Sequence, residues 1–451
     1  MKKIIFPLLV IFLFSSCSTL PIKKEPVLKN YAKGVVAYQQ EDYDDAIKFF
    51  EKEIKENGQS SYLNLKLGNL YLEKQMPDKA KKYFYRAKKK NPNDPDVYFG
   101  LGLAYLFEKN DEMAAYFIEK GLERDPGKTS FRLILSDIYV TLQNYEKGEL
   151  HYSVLVNQFP SNYLLHYNYA KLLEKTGKEN LAEIEYLKTL DIVPFFWQAN
   201  LSLALLYQKQ GKNEKAKQFF ENTIQYNPKN PVPYIFLSSI YSSEEKIDSA
   251  IEILEKGLGH GLKEKIIFDF LGSLYYQKEE YNKAIENFNK SLEISDTSDT
   301  RFRLGILYDK IGQKQQMEEQ MKKAIQLNPE NSLALNYLGY SYLDENKNIK
   351  EAYKMIKKAV EKDPKNGAYL DSLGWAYYKM GNYKKARYYL EKAINYEKDP
   401  EIEEHLAWTY FKLCNWEKAI FYFTKAYEKT GKEDILKEIE KIKCLIKNEN
   451  H

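Results

Sequence analysis

The chain is predicted to be all-α, a solenoid of about twelve helical hairpins closed by a C-terminal capping helix. Three series of residues in one register predict it. Tyrosines recur at a spacing of 34 as Tyr71, Tyr105 and Tyr139; Leu173 takes the next place, and Tyr207, Tyr241 and Tyr275 resume the series. Tyr308, Tyr342, Tyr377 and Tyr410 follow at steps of 33 to 35. Alanines share the period, with Ala46, Ala80, Ala114, Ala182, Ala216, Ala250 and Ala284, then Ala352, Ala386 and Ala419; Gly148 and Met317 take the two places between. Small residues make the third series, from Gly34, Gly68 and Gly102 to Gly339, Gly374 and Ala407. A fixed period of this length marks stacked supersecondary units, and series of such different chemistry do not share a register by chance.

Taken in order, the chain opens with Lys2 and Lys3, an apolar run from Ile4 to Phe14, and Ser15-Ser16-Cys17. The run is too short for a membrane-crossing helix, which takes roughly 20 residues. A positive start, a short apolar core and small residues before a cut site describe a secretory signal. The cysteine after the small pair makes it resemble a bacterial lipoprotein signal. That resemblance implies cleavage before Cys17 and lipidation of its sulfur and amine. Ser18 is not aspartate, which by the enterobacterial sorting rule implies an outer-membrane lipoprotein facing the periplasm. The expected organisation is a signal peptide over 1–16, a tether over 17–26, the repeat array over 27–433, and a capping helix with its tail over 434–451. An ordinary signal peptide with an incidental cysteine is the alternative at this end.

Within each repeat the apolar residues recur at helical spacing, broken near the middle at polar or glycine residues such as Gly381-Asn382. The small residue on the first helix is expected to let the second helix approach closely. Tyrosine, with a large residue such as Phe84, Phe220 or Leu390, fills the space around that contact. Pro92, Pro126, Pro160, Pro194 and Pro228, then Pro329, Pro364 and Pro400, are expected to separate one unit from the next, since proline lacks a donor and disfavours helix before it. Two junctions lack the proline, at 257–261 and 295–300, and softer stacking is expected there. In the last segment Ile435, Ile439, Ile442 and Ile446 fall on one face. A hairpin of this kind cannot bury its own apolar face, so stability comes from stacking on neighbours.

With tyrosine, alanine, small residue and proline all in place, the repeat resembles the tetratricopeptide repeat. The resemblance covers nearly the whole chain after the signal and implies a superhelical solenoid of non-enzymatic, protein-binding character. It further implies that the first helix of each unit lines a concave groove. Carried onto this sequence, the groove residues are Phe99, Leu103, Phe107, Phe302, Tyr340, Trp375, Tyr378, Trp408 and Phe411. The stretch from Leu335 to Ala393 is similar to large outer-membrane tetratricopeptide lipoproteins of Gram-negative bacteria, some of which serve as adaptors for a periplasmic carboxyl-terminal processing protease. The partners so implied are envelope proteins, a protease and its substrates among them. A glycan or peptidoglycan module, with Asp371, Glu404 and Asn336 beside the rings, and an assembly factor for a pilus or secretion system are the alternatives. No lysine stands at the fifth position of any unit, which argues against the carboxylate clamp that some family members carry.

Charge and motif inspection exclude other classes. Lys+Arg 68 against Asp+Glu 64 gives +4, with no electrostatic case for nucleic acid. Gly127-Lys128-Thr129 lacks the upstream glycine of a phosphate loop, so no nucleotide is expected. The histidines have no ligand spacing, so neither a metal nor another cofactor is expected. Cys414 and Cys444 are expected as two buried free thiols, with a disulfide stapling the cap as the alternative.

Overall fold

A computed structural model describes residues 29–58 and 60–449, with side chains to residue 446. The signal, the tether, Cys17 and the first residues of the array lie outside the described residues. Among the described residues there are 25 helices and no strand. They run as twelve successive pairs followed by a single helix, Glu433–Glu449, as the 34-residue period requires. No helix among the described residues is long and apolar enough to cross a membrane.

The chain divides into two compact units, 1–206 and 207–451. The division falls inside the helix Trp197–Lys209. The described part of the first unit holds the five hairpins 29–57, 61–90, 95–122, 129–158 and 163–192. The second holds the hairpins 231–259, 265–294, 298–327, 332–362, 367–396 and 400–430, and the closing helix.

The two helices of a hairpin differ for a physical reason. A second helix buries one stripe: Ile349–Lys362 buries Ala352, Ile356 and Ala359, at helical spacing. A first helix lies between its own partner and the preceding hairpin, so most of its girth is apolar. Pro95–Phe107 accordingly buries every residue from Val97 to Gly102, and Ala104. The turn between the two helices needs a left-handed residue. Gly381 supplies it without steric cost at φ 78°, and Asn382 then caps the next helix by accepting from the Lys385 amide at 3.2 Å. Cys414 holds the same place at φ 56°. That explains its exposure: Cys414 and Cys444 are both free and exposed, which corrects the expectation of buried thiols and rules out the staple.

The small residue acts as anticipated. A Cβ added at Gly68 would stand 2.4 Å from the Phe84 ring, and one at Gly374 2.5 Å from Leu390 Cγ. Both lie below any normal contact between carbon atoms. Gly374→Leu should therefore overpack the 367–396 hairpin and cost about 1–3 kcal/mol. Unchanged thermal stability of that variant would contradict the close-approach account.

The tyrosine series does more than fill space. Five of these rings send the hydroxyl to a carboxylate on the second helix of the preceding hairpin, while Tyr105 and Tyr377 meet the hydroxyls of Tyr85 and Tyr353 there instead. Tyr71 bonds Glu51 at 3.0 Å, Tyr275 bonds Glu255 at 2.7 Å and Tyr342 bonds Glu318 at 2.7 Å, while Tyr139 and Tyr410 reach Glu119 and Glu391. Eight residues on, a lysine covers the ring: Lys79 on Tyr71, Lys147 on Tyr139, Lys283 on Tyr275 and Lys418 on Tyr410, all 5.0–5.4 Å from the centroid.

Burial and the accepting carboxylate push Tyr71, Tyr139, Tyr275 and Tyr342 up to about 12. An unfolded tyrosine ionises near 10. The stabilisation these phenols give is therefore complete below about pH 10 and is lost as pH rises through about 12. Helix content and phenolate absorbance should change together over that window. Gradual ionisation from pH 10 with helix content intact would show that the hydroxyls are not holding the seams.

The turns between hairpins carry a second lock that sequence reading did not find. Six residues after five of the turn prolines a side chain bonds the proline carbonyl, among them Tyr98 to Pro92 at 2.8 Å, Arg132 to Pro126 at 3.0 Å and Tyr234 to Pro228 at 3.1 Å. After Pro329 and Pro364 the place is held by Leu335 and Leu370, which cannot form the bond. Pro400 departs from the series; it is the first residue of the helix Pro400–Lys412, where a missing amide costs nothing. At 295–300, where no proline stands, a polar network occupies the junction. Asp269 accepts from Ser291 at 2.6 Å and from Thr300 at 3.0 Å, and Arg301 grips Asp296 through two 2.8 Å bonds.

The closing helix buries Ile435, Ile439 and Ile442 in one cluster with Phe423 and Ala426. Those three isoleucines are on the face that the sequence assigned to packing.

Candidate functional site

The sequence-assigned groove residues all lie on first helices, and the structure separates them into three situations. Phe99 is buried, 2 % exposed, and stacks on Phe131 with ring centroids 3.9 Å apart. Gly121 faces it with no Cβ; a methyl there would come within 2.4 Å of the ring. Phe99 therefore belongs to the seam between two hairpins, which corrects its placement in an accessible groove. Leu103 is half-buried, and Phe107, at the end of the same helix, is half exposed.

In the second unit Phe302, Tyr340, Trp375, Tyr378, Trp408 and Phe411 are all half-buried. Trp375 lies between two rings: His405 at 4.0 Å and Tyr378 at 4.5 Å, both nearly parallel to it. Lys379 sits 5.1 Å over the same indole. Trp408 meets Phe411 at 6.0 Å and Phe423 at 5.2 Å edge-on. Phe302 contacts Tyr337 rather than the tryptophans, at 6.2 Å. The helices Gly367–Lys379 and Pro400–Lys412 thus bring four of the assigned rings forward, each partly packed and partly open.

His405 was read as one of several scattered histidines, and it is the hinge of this face. It is buried, and its Nδ1 stands 2.9 and 3.0 Å from the two oxygens of Asp371. Burial pulls its pKa down, but the charge of Asp371 and the hydrogen bond to it prevail, and the net direction is upward. The pair fixes the imidazole plane on which Trp375 stacks.

On the other side of Asp371 is a cavity of about 390 Å³. The helices Ser332–Asp344, Gly367–Lys379 and Pro400–Lys412 line it, with the ends of the neighbouring helices. Its carboxylates are Asp309, Asp344, Asp371, Glu397, Asp399 and Glu401, against Lys314 as its one lining lysine. Asp309 pairs with Lys314 at 2.6 Å and accepts from Tyr337 at 2.5 Å. Burial opposes its charge, but Lys314 and Tyr337 outweigh that and hold the Asp309 carboxyl below its ordinary range. Tyr340 donates to Glu401, and burial followed by that carboxylate drives its phenol well above the ordinary value.

Asp371 and Asn336 line this cavity. Glu404, the third residue assigned beside the rings, does not, and stands 3.6 Å from Lys432. The acidic run from Glu397 to Glu404 was the available signal for the cavity wall, but a charge run ordinarily reads as a solvated face. Tyr337 and Asp344 gave no signal, because they fall outside the positions carried over from the repeat.

Family models described as Tetratricopeptide repeat match residues 37–106, and 95–128, 198–230, 233–259, 267–297 and 298–331. A model described as Anaphase-promoting complex, cyclosome, subunit 3, matches residues 345–426. No curated protein matches the chain. Among solved structures, the APC/C hetero-tetramer Cut9–Hcn1 is 15 % identical, covers 92 % of this chain and 96 % of that one, and gives a TM-score of 0.45. A tetratricopeptide repeat protein from Parabacteroides merdae is 18 % identical over 55 % of this chain and 98 % of that one, at 0.42. Yeast Tom70 is 17 % identical over 93 % and 96 %, at 0.38.

Proposed function

We propose that this chain, a tetratricopeptide repeat protein, is a non-catalytic scaffold, lipid-anchored through Cys17 on the periplasmic face of the outer membrane. It holds envelope proteins together, a processing protease and its substrates among them. Protein binding is the property of the repeat family. The anchor rests on the sequence pattern of residues 2–17.

One observation supports the binding face above others. Trp375, Tyr378, Trp408 and Phe411 come from two consecutive first helices and keep part of their surface open. Tryptophan and tyrosine in such settings are the usual energetic anchors of protein interfaces. A scaffold needs no chemistry of its own, because holding two partners on one platform raises their effective concentration.

The test uses the full chain in lipid vesicles, presented with envelope proteins and, separately, with purified cell-wall polymer. Capture of defined envelope proteins is expected. Trp375→Ala combined with Trp408→Ala should abolish it, at about 2 kcal/mol or more per anchor ring, with helix content by circular dichroism as the control for folding. Retained capture by a folded double variant would place the site elsewhere. Capture of polymer alone would replace the scaffold reading with a glycan-binding one.

A further inference from the structure

We propose that the acidic cavity beside Asp371 receives an arginine side chain of the bound partner polypeptide. The inference rests on the scaffold reading and names the chemistry by which that face recognises its guest.

Charge complementarity comes first. Of the six lining carboxylates, Asp309 is neutralised by Lys314 and Asp371 is held by His405. Asp344, Glu397, Asp399 and Glu401 have no ion-pair partner among the described residues. Four uncompensated carboxylates around one cavity repel each other until a cation enters. No three of these groups converge as metal ligands do, so the geometry suits an extended cation.

Unmet hydrogen bonding is the second, independent observation. Asn336 Oδ1 is buried and has no hydrogen-bond partner. Ser341, about nine-tenths buried, lines the cavity and makes no side-chain hydrogen bond. A buried acceptor left unpaired costs about 1–3 kcal/mol, which a donor brought by the guest recovers. The wall is thus rich in acceptors, and guanidinium is the side chain that offers five donors and no acceptor. Tyr337 and Tyr340 stand among the carboxylates, and a planar guanidinium stacks on such rings while its edge meets carboxylates in pairs.

Size and position select a side chain on a polypeptide. About 390 Å³ holds an arginine side chain with its flanking backbone rather than a folded element. Asp371 joins the cavity to the aromatic face: it lines the one and, through His405, supports Trp375 on the other. Asp371, Trp375 and Tyr378 lie on one helix, Gly367–Lys379, so the cavity and the aromatic face are built on the same element.

The test titrates the full chain with a fluorescein-labelled Gly-Ser-Arg-Ser-Gly amide and with its citrulline twin, which keeps the shape and loses the charge. The arginine peptide should bind on the order of tenfold more tightly or better, and the preference should fade with salt. Asp344→Asn with Glu397→Gln should erase the preference; Glu397 closes the helix Tyr383–Tyr396 through its backbone amide, which the substitution keeps, and neither side chain caps a helix or pairs with a lysine. Equal binding of the two peptides to the unaltered chain overturns the proposal whether or not the variant folds. Spermine competing as strongly as the arginine peptide would overturn the assignment to a polypeptide. Envelope-protein capture that persists without arginine preference removes this inference alone. Arginine preference without any envelope-protein capture removes the scaffold reading alone.

Discussion

Phe84→Ala should cost the array about 3–5 kcal/mol, the range for emptying a buried phenylalanine site. The ring is fully buried on the helix Pro77–Lys90. It fills two glycine gaps at once: an added Cβ at Gly68 would stand 2.4 Å from it, and one at Gly100 2.5 Å. Gly68 is in the same hairpin, and Gly100 is in the next. One ring therefore closes a seam within a repeat and a seam between repeats. The backbones it separates cannot collapse onto the void, because both helices are held by their other neighbours. In a stack whose stability is a sum of nearest-neighbour terms, the loss should be local. Amide exchange should quicken in the hairpins 61–90 and 95–122 and change little in 332–430. A uniform loss along the chain would contradict the nearest-neighbour account, and protection unchanged in 61–122 would contradict the packing account.

His405→Ala should be comparably damaging, at about 3–5 kcal/mol, for a different reason. Asp371 is only 5 % exposed and its two oxygens face His405 Nδ1. Removing the imidazole leaves a carboxylate buried without its partner, which is the expensive way to break a buried pair. It also removes the ring 4.0 Å from Trp375, so the binding face loosens with the core. Replacing both residues, Asp371→Leu with His405→Leu, takes away the unpaired charge and should recover most of the stability. Exchange protection across Gly367–Lys379 and Pro400–Lys412 measures both variants. A double variant as unstable as His405→Ala would show that packing of the histidine, and not the stranded carboxylate, carries the effect.

The ranking of these two sites could not be read from the sequence, although the frame around them could. Gly68 and Gly374 announced a close approach by their spacing alone, and Phe84 and Leu390 were named as the residues that meet such small positions. Tyr139 and its equivalents announced a repeated position, but not the hydroxyl bond to Glu119 on the preceding hairpin. The carboxylate is 20 residues upstream, and nothing local ties the two. Phe99 shows the opposite failure. Its repeat position assigned it to the groove, yet Gly121 and Phe131 open a slot that takes the ring out of solvent.

By itself, then, the sequence determined the all-α class, the hairpin period, the turn positions, the close helix approaches and the closing helix. All but the last recur from unit to unit, so the period records them many times over, and the closing helix shows in the one-sided spacing of Ile435, Ile439 and Ile442. Only the tertiary structure decided which groove rings stay open, where His405 goes, and that residues from Asp309 to Ile402 share one acidic cavity. Those outcomes depend on the volumes and charges of particular neighbours that do not repeat, and a side chain's burial is settled by what fills the space beside it.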